Sequence, residues 1–328
     1  MSLRCTYAMI VMSVLAQAAP LSISLSLDKD TVVPYEPLLV RVRVANSGDA
    51  AVAIPDIGRL TGSVAFDFRF ETQSGEELEQ GMRFSITRSH GLGQPQLTLA
   101  PGETVTSRAA QIGEWTGMPD PENERLRCFR PGVYSVRAFW QVGMLPESFM
   151  REQISSTPSF FTVVEPTALQ KPALALYRDL AASLMLPPRV DSRQRSTLRE
   201  RVRAKWADVE GLAKRMISQC PAEPYVVLAE VDLAHDYWSR GHGFSQFLDD
   251  PKSAEQWSDS MVAAYRRVVE DHPDSPIAAE YLTSVYGMFA SGVDGSKEYL
   301  SELQRRVPST RVARVAASIL ESLTESRK

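Results

Sequence analysis

The apolar residues of this 328-residue chain follow two different periods, and the period changes near residue 166. Before that point they occupy every second position, which is typical of strands with one face toward a core and one toward solvent. After it they return every three or four positions, as in amphipathic helices. Since a domain commonly has about 100–200 residues, we expect two domains, over residues 21–165 and 167–328, with separate cores.

The first half is predicted to be all-β. Val40, Val42 and Val44 alternate with arginines, and a turn sequence follows at residues 46–48. Further strands are predicted around residues 23–27, 66–70, 82–87, 96–99, 104–111, 133–142 and 160–164, with Tyr134, Val136, Ala138 and Trp140 on one face of the longest. Seven or eight short strands of this kind predict an antiparallel sandwich, because each half-polar sheet needs a second sheet to cover its apolar face.

Two short motifs in this half resemble those of bacterial immunoglobulin-like modules. They are the string from Leu99 to Thr104 and the string Arg130-Pro131-Gly132-Val133-Tyr134. In such modules a Pro-Gly-x-Tyr turn leads into a late strand whose Tyr packs near a corner of the sandwich. The resemblance implies an immunoglobulin-like antiparallel sandwich. The segment 113–127 is longer and more polar than a simple loop, so it either carries function or is a disordered surface insertion.

The second half is predicted to be an array of about seven helices joined by short connections, an α-hairpin array. The predicted helices begin near residue 169, after Ser192, at Pro224, at Pro251, after Ser275 and after Ser296, and a seventh runs to about residue 324. Serine is a favoured N-cap, and proline is favoured at the first helical position because its missing N–H costs nothing there.

One stretch of this half resembles a tetratricopeptide repeat. Pro273 and Pro308 are 35 residues apart, close to the 34-residue period of that repeat, and Leu282 and Tyr286 occupy its Leu and Tyr positions. The chain departs from the pattern where Ala279 replaces Trp and Thr283 replaces Gly. The resemblance implies a tetratricopeptide-like helical domain, and such arrays present a concave face to peptides.

The N-terminus predicts export. A single early arginine, an apolar stretch over residues 7–15 and the sequence Ala16-Gln17-Ala18 together match a secretory signal peptide over residues 1–18. The alternative is a buried first strand or helix. We expect a periplasmic or extracellular protein whose mature chain does not insert into a membrane, because no apolar run reaches the roughly 20 residues of a spanning helix.

Charge and motif content narrow the function further. The formal charge is −4, with 36 basic and 40 acidic residues, which argues against a general nucleic-acid binder. Standard zinc, calcium, nucleotide and nucleophile motifs are absent from the sequence. Asp232, His235, Asp236 and His242 are the best metal-ligand candidates, although local charge and helix capping explain them equally well. We predict no catalytic residue, no metal site and no cofactor.

Two cysteines, Cys128 and Cys220, remain once the predicted signal peptide is removed. An oxidising compartment would allow them to pair and to join the two domains. The alternative is two separate thiols.

Partner-binding residues are predicted on the helices. Arg195, Arg199 and Arg203 recur every four residues and form one stripe, which is either a solvated face or a docking site for an acidic partner. Tyr281 and Tyr286 are candidates for the concave face, since tyrosine suits interfaces.

The function predicted from these features is that of an exported, non-enzymatic protein-binding or scaffolding protein of the bacterial cell envelope, with a protein or peptide as its partner. Two alternatives remain open. One is a proteinase-inhibitor-like module that acts through residues 113–127. The other is an enzyme without recognisable motifs that uses His235 and His242.

Overall fold

The computed structural model describes residues 21–58, 66–78, 96–107, 109–112, 129–140, 154–184, 195–240, 254–289 and 296–325. Strands fill the N-terminal part of this range and helices fill the C-terminal part. The predicted signal peptide, the predicted strand at 82–87 and the segment 113–127 lie outside it.

Eleven strands occur among the described residues. They are β1 (Leu21–Leu27), β2 (Thr31–Val32), β3 (Leu38–Asn46), β4 (Val52–Pro55), β5 (Phe66–Thr72), β6 (Glu77–Leu78), β7 (Gln96–Leu99), β8 (Thr104–Thr106), β9 (Ala110–Ile112), β10 (Gly132–Trp140) and β11 (Ser159–Val163). One sheet joins β1, β3, β8 and β9, a second has the order β2-β11-β10-β5-β6, and a third pairs β4 with β7.

The prediction of purely antiparallel sheets is wrong at one place. β2 pairs with β11 in parallel, through Thr31 with Thr162 and Val32 with Val163, which makes the second sheet mixed. The reason is a crossover: the chain leaves β1 in the first sheet, adds two residues to the second, and returns as β3 to the first. A two-residue strand carries no readable period, so the sequence gives no sign of it.

The predicted core face of the longest strand is confirmed. Tyr134, Val136, Ala138 and Trp140 of β10 are all buried. In the register with β5, Val136 lies opposite Phe70, and Trp140 lies opposite Phe66, so both strands direct their apolar residues toward one core.

The predicted strand 104–111 is divided into β8 and β9, which both pair with β3. At the break the buried Ser107 takes over the pairing with Val42. Its Oγ accepts a hydrogen bond from the Val42 N–H at 3.0 Å, and its own N–H donates to the Val42 carbonyl at 2.8 Å. The hydroxyl thus replaces a missing ladder bond.

Seven helices occur in the described C-terminal part, as the sequence predicts. They are α1 (Gln170–Leu184), α2 (Arg195–Gln219), α3 (Tyr225–Ser239), α4 (Ala254–Asp271), α5 (Pro276–Phe289), α6 (Ser296–Arg306) and α7 (Arg311–Glu325). α3 contacts α1 and α5, and α5 in turn contacts α7, so the odd-numbered helices form one layer. α2 packs on α1 and α3, and α4 packs chiefly on α3. None of the described helices has both the length and the hydropathy that a bilayer-spanning helix needs.

The buried apolar residues form two clusters, one made of the strands and one made of the helices. Two residues of the connection between β2 and β3, Val33 and Tyr35, belong to the helical cluster. The Tyr35 ring meets the Tyr177 ring of α1 edge to face, with 5.5 Å between centroids. The expectation of fully separate cores is therefore wrong at this connection, because Tyr35 packs among the helices.

Candidate functional site

Helix α3 lies in the middle of the helical layer and is buried around most of its circumference. Among its described side chains only Asp232, His235 and Trp238 are not buried. Residues three apart lie on the same side of a helix, so the three form one solvent-facing strip, which we name the α3 stripe. Trp238 is 38% exposed, which is unusual for a large aromatic ring on a helix that is otherwise covered.

The sequence of α3 explains its central position. Between Tyr225 and Tyr237 it is apolar at most positions, with Val226, Val227, Ala229, Leu233 and Ala234 all buried. A helix that is apolar on nearly every side is expected to be surrounded by others. The polar residues of the α3 stripe therefore lie where the neighbouring helices leave α3 uncovered.

Asp232 is held by a residue of the first helix. The Tyr177 hydroxyl of α1 donates a hydrogen bond to Asp232 Oδ2 at 2.8 Å. Loss of hydration raises the pKa of Asp232 to about 7, and this effect exceeds the opposing effect of the Tyr177 hydrogen bond; the negative charge of Asp236 raises the pKa further. Near neutral pH the carboxyl group of Asp232 therefore exists in both protonation states.

His235 lies beside an aromatic wall made by α4 and α5. Its ring meets the Tyr281 ring edge to face at 5.2 Å, and Tyr281 packs on Tyr265 with 4.6 Å between centroids. The Tyr281 hydroxyl donates to the Val231 carbonyl at 3.3 Å. These contacts hold His235 in place while its side chain stays exposed.

The prediction that Tyr281 faces a partner is wrong. Tyr281 is only 2% exposed and belongs to the helical core, because α3 and α4 cover the side of α5 on which it lies. Tyr286 follows in α5, but its side chain is outside the described part of the structure, so its role stays a prediction.

A buried ion cluster lies one helical turn from Asp232, around Asp236 and Arg240. Arg240, whose side chain is 4% exposed, pairs with Asp236 and, at 3.2 Å, with Glu210 of α2, and it donates to the Trp206 carbonyl at 2.8 Å. The rings of Trp206, Tyr237 and Trp257 surround the guanidinium at 4.8–5.3 Å. We name Arg240 and these contacts the Arg240 cluster. It joins α2, α3 and α4 at one point.

The predicted metal-ligand set is divided by this arrangement. Asp232 and His235 share the α3 stripe, whereas Asp236 is turned toward Arg240, and His242 lies outside the described residues. Within the described part of the chain, no group of three or more potential ligands is placed to hold a metal ion.

The predicted arginine stripe lies on α2. Arg203 is exposed, while the side chains of Arg195 and Arg199 fall outside the described part, so docking at this stripe stays a prediction. Lys205, on the same helix, is turned inward: its Nζ donates to the Leu184 carbonyl at 2.7 Å, and burial lowers its pKa to about 8. Cys220 is half-buried, and because Cys128 is not among the described residues, their pairing also stays a prediction.

A second ionisable group ties α3 to the end of α4. His272 Nδ1 lies 3.0 Å from Glu223 Oε1, and its Nε2 lies 3.3 Å from the buried Glu230 Oε2. The contact with the Glu230 carboxylate is the main cause that raises the pKa of His272, against the effect of burial. His272 therefore links the end of α4 to α3 and has a structural role.

Trp238 and Arg240 are two residues of this region that no motif in the sequence marks as functional. The pair Asp236 and Arg240, four residues apart, and the spacing of Asp232, His235 and Trp238 were visible, but only the packing shows which side of α3 is covered.

Comparison with known proteins assigns no family, since no protein-family model and no curated protein matches the chain. Among solved structures, the sporulation control protein Spo0M from Bacillus subtilis is similar over 50% of this chain and 56% of its own length, with 16% sequence identity and a TM-score of 0.25. The chain thus spans about half the length of Spo0M. A similarity of this size indicates neither an immunoglobulin-like nor a tetratricopeptide-like module.

Proposed function

We propose that this chain is an exported, non-enzymatic protein-binding protein, and that its helical half binds a segment of a partner along the α3 stripe. The observation that carries the proposal is that α3 is buried on nearly all sides and that, among its described side chains, an acid, an imidazole and a tryptophan alone reach the surface. Recognition sites in proteins are commonly formed by partly exposed aromatic and ionisable side chains on a rigid element.

The order of helix contacts supports a tetratricopeptide-like arrangement for the helical half. α1, α3, α5 and α7 form a continuous layer, while α2 and α4 lie to its side. Stacked helix pairs of this kind produce extended binding surfaces. In this proposal the α3 stripe lies on the face that receives the partner.

One hydrogen bond supports an immunoglobulin-like assignment for the β half. The Tyr134 hydroxyl donates to the Arg130 carbonyl, four residues upstream, at 2.7 Å. A tyrosine that binds the backbone a few residues before it, at a corner of the sheets, is a hallmark of such sandwiches. We propose that this half supplies spacing or a second contact, and that residues 1–18 direct export.

The proposal is tested with the mature full-length chain as bait in an envelope extract. Asp232, His235 and Trp238 are all changed to alanine in one variant. A matched control carries Glu298→Ala, Glu302→Ala and Arg305→Ala on the exposed side of α6. Thermal unfolding by circular dichroism first establishes that both variants fold like the parent.

We expect a discrete protein to be retained by the parent and by the α6 control, and to be lost with the α3 variant. Cross-linking followed by mass spectrometry should then place that protein on α3. Equal retention by all three chains would contradict the assignment of the site. Absence of any retained protein with the parent chain would contradict the binding function.

A further inference from the structure

We infer that the α3 stripe recognises a basic peptide, with Asp232 accepting a lysine or arginine side chain and Trp238 packing against a neighbouring residue of that peptide. The inference rests on the proposed function and names the chemistry of its partner. It is carried by the difference between two carboxylates one helical turn apart.

Asp236 and Asp232 lie on the same helix but have different partners. Asp236 is paired with the guanidinium of Arg240 inside the helical core. Asp232 receives the neutral Tyr177 hydroxyl on Oδ2, and among the described residues no cation lies within ion-pair distance of it. The fold thus neutralises the deeper carboxylate and leaves the outer one without a counter-charge.

The surroundings of Asp232 favour a cation as its ligand. The carboxylate is half-buried, so it has lost hydration, and it also lies one turn from the negative charge of Asp236. A cation that approached from the solvent side would offset both effects at once. An anionic ligand would add a further repulsion, which excludes phosphate and acidic peptides from this position.

The geometry of the stripe favours a peptide over a single ion. Asp232 and Trp238 are six residues apart, about 9 Å along the helix axis, which about three residues of an extended chain span. The exposed part of Trp238 gives a second side chain, or the methylene stem of a lysine, an apolar surface to pack against. A lone metal ion would find only Asp232 and His235 on the stripe, too few ligands for a protein-held site.

The groups that face Asp232 set the expected pH dependence. They are Tyr177 from α1, Tyr281 from α5, and His235 and Asp236 from α3 itself. Ionisation of Asp232, whose pKa lies at about 7, favours a cationic ligand, so binding should strengthen as the pH rises from 6 to 8. Loss of hydration lowers the pKa of His235 to about 4, so this ring is neutral across that range, and a His235→Gln variant should keep the same pH dependence.

The test is a selection of short random peptides displayed on phage against the mature full-length chain. Enriched peptides are then synthesised and measured by fluorescence anisotropy. We expect them to contain lysine or arginine, and replacement of that residue by norleucine should weaken binding about tenfold. Asp232→Asn should weaken the lysine peptide by a similar factor and should remove the preference for lysine over norleucine, while Glu302→Gln on α6 should change neither.

Each other outcome overturns the inference in a different way. Peptides that lack a cation and depend on Trp238 but not on Asp232 would contradict the basic ligand and leave the proposed binding function standing. Enrichment of no peptide at all would contradict both. Retention of the lysine preference in an Asp232→Asn variant that folds like the parent would also contradict the role of this carboxylate.

Discussion

The two halves of the molecule bury polar side chains for different purposes. In the described part of the β half the buried polar residues are uncharged, and Asn46 is an example of one that bonds to the backbone: its Nδ2 donates to the Ala50 and Leu99 carbonyls at 2.8 and 3.0 Å. In the helical half Glu230, Asp236 and Arg240 are buried with their charges. Strands need substitutes for missing ladder bonds, whereas helices satisfy their own backbone, so buried charge there requires another reason.

That reason differs between the two charged sites of the helical half. The Arg240 cluster fixes three helices relative to one another, and the side chains of Arg240 and Asp236 are buried away from solvent. Asp232 remains partly open and lacks a counter-charge among the described residues. We therefore predict that the Arg240 cluster contributes to the stability of the fold, whereas Asp232 lowers stability and serves binding.

The largest effect is expected from Arg240→Ala. This change leaves Asp236 as a buried charge without its partner, which should lower the free energy of unfolding by about 3–5 kcal/mol in urea denaturation. Lys214→Ala is the matched control, because Lys214 binds the same Glu210 at the surface, and an exposed pair contributes less than about 1 kcal/mol. Equal losses in the two variants would contradict the structural role of the cluster.

Asn46→Ala tests the β half. The change removes the two hydrogen bonds that Nδ2 donates and the one that Oδ1 accepts from the Gly48 N–H at 3.0 Å. It leaves the Ala50 and Leu99 carbonyls without this donor, so the free energy of unfolding should fall by about 2 kcal/mol. Ser26→Ala, which removes an exposed hydrogen bond to Arg41, is the control and should cost only a few tenths of a kcal/mol. A loss as small as that of the control would show that water readily replaces Asn46.

His272→Gln should change how stability depends on pH. The folded state raises the pKa of His272, so its contribution is fully present below the unfolded value of 6.5 and is lost as the pH rises through the folded value. Urea denaturation from pH 6 to pH 9 should show a decline in the free energy of unfolding of the parent that the variant lacks. The same decline in both chains would exclude His272 as its cause.

The smallest effect, of opposite sign, is expected from Asp232→Asn. Because folding raises the pKa of Asp232 from 3.8 to about 7, the folded state loses stability as the pH rises between these values. The full shift would correspond to about 4 kcal/mol at pH 8. Because Asp232 is only half-buried and solvent screens its charge, we expect the variant to be more stable than the parent by about 1 kcal/mol at that pH. The gain should disappear near pH 4. A loss of stability at pH 8 would show that the carboxylate is a structural group.

Local patterns in the sequence predict much of the secondary structure. The alternation around Val136 gives the strand and its inward face, and the three-to-four spacing gives seven helices. They fail where the outcome depends on contacts between distant segments. Thr31 and Val32 join β11 without any period of their own, and helical spacing cannot tell that α3 and α4 cover Tyr281.

The candidate site is harder to predict for the same reason. Asp232 and His235 stand out in the sequence as possible ligands, because they lie three residues apart and so share one helix face. Trp238 looks like one more core residue, and only the packing of neighbouring helices leaves it exposed. Arg240 looks like a solvated charge at a helix end, although three aromatic rings enclose it.

The insertion of Tyr35 among the helices has a practical consequence for anyone who divides this chain. Tyr35 adopts a positive φ of 66°, an uncommon backbone conformation for a residue with a side chain, and its ring fills space beside Tyr177. A fragment that begins at residue 167 would carry a hole at that place and would expose tyrosine faces to water. The apolar core of the helical half therefore includes a tyrosine that comes from the N-terminal, β-rich half of the chain.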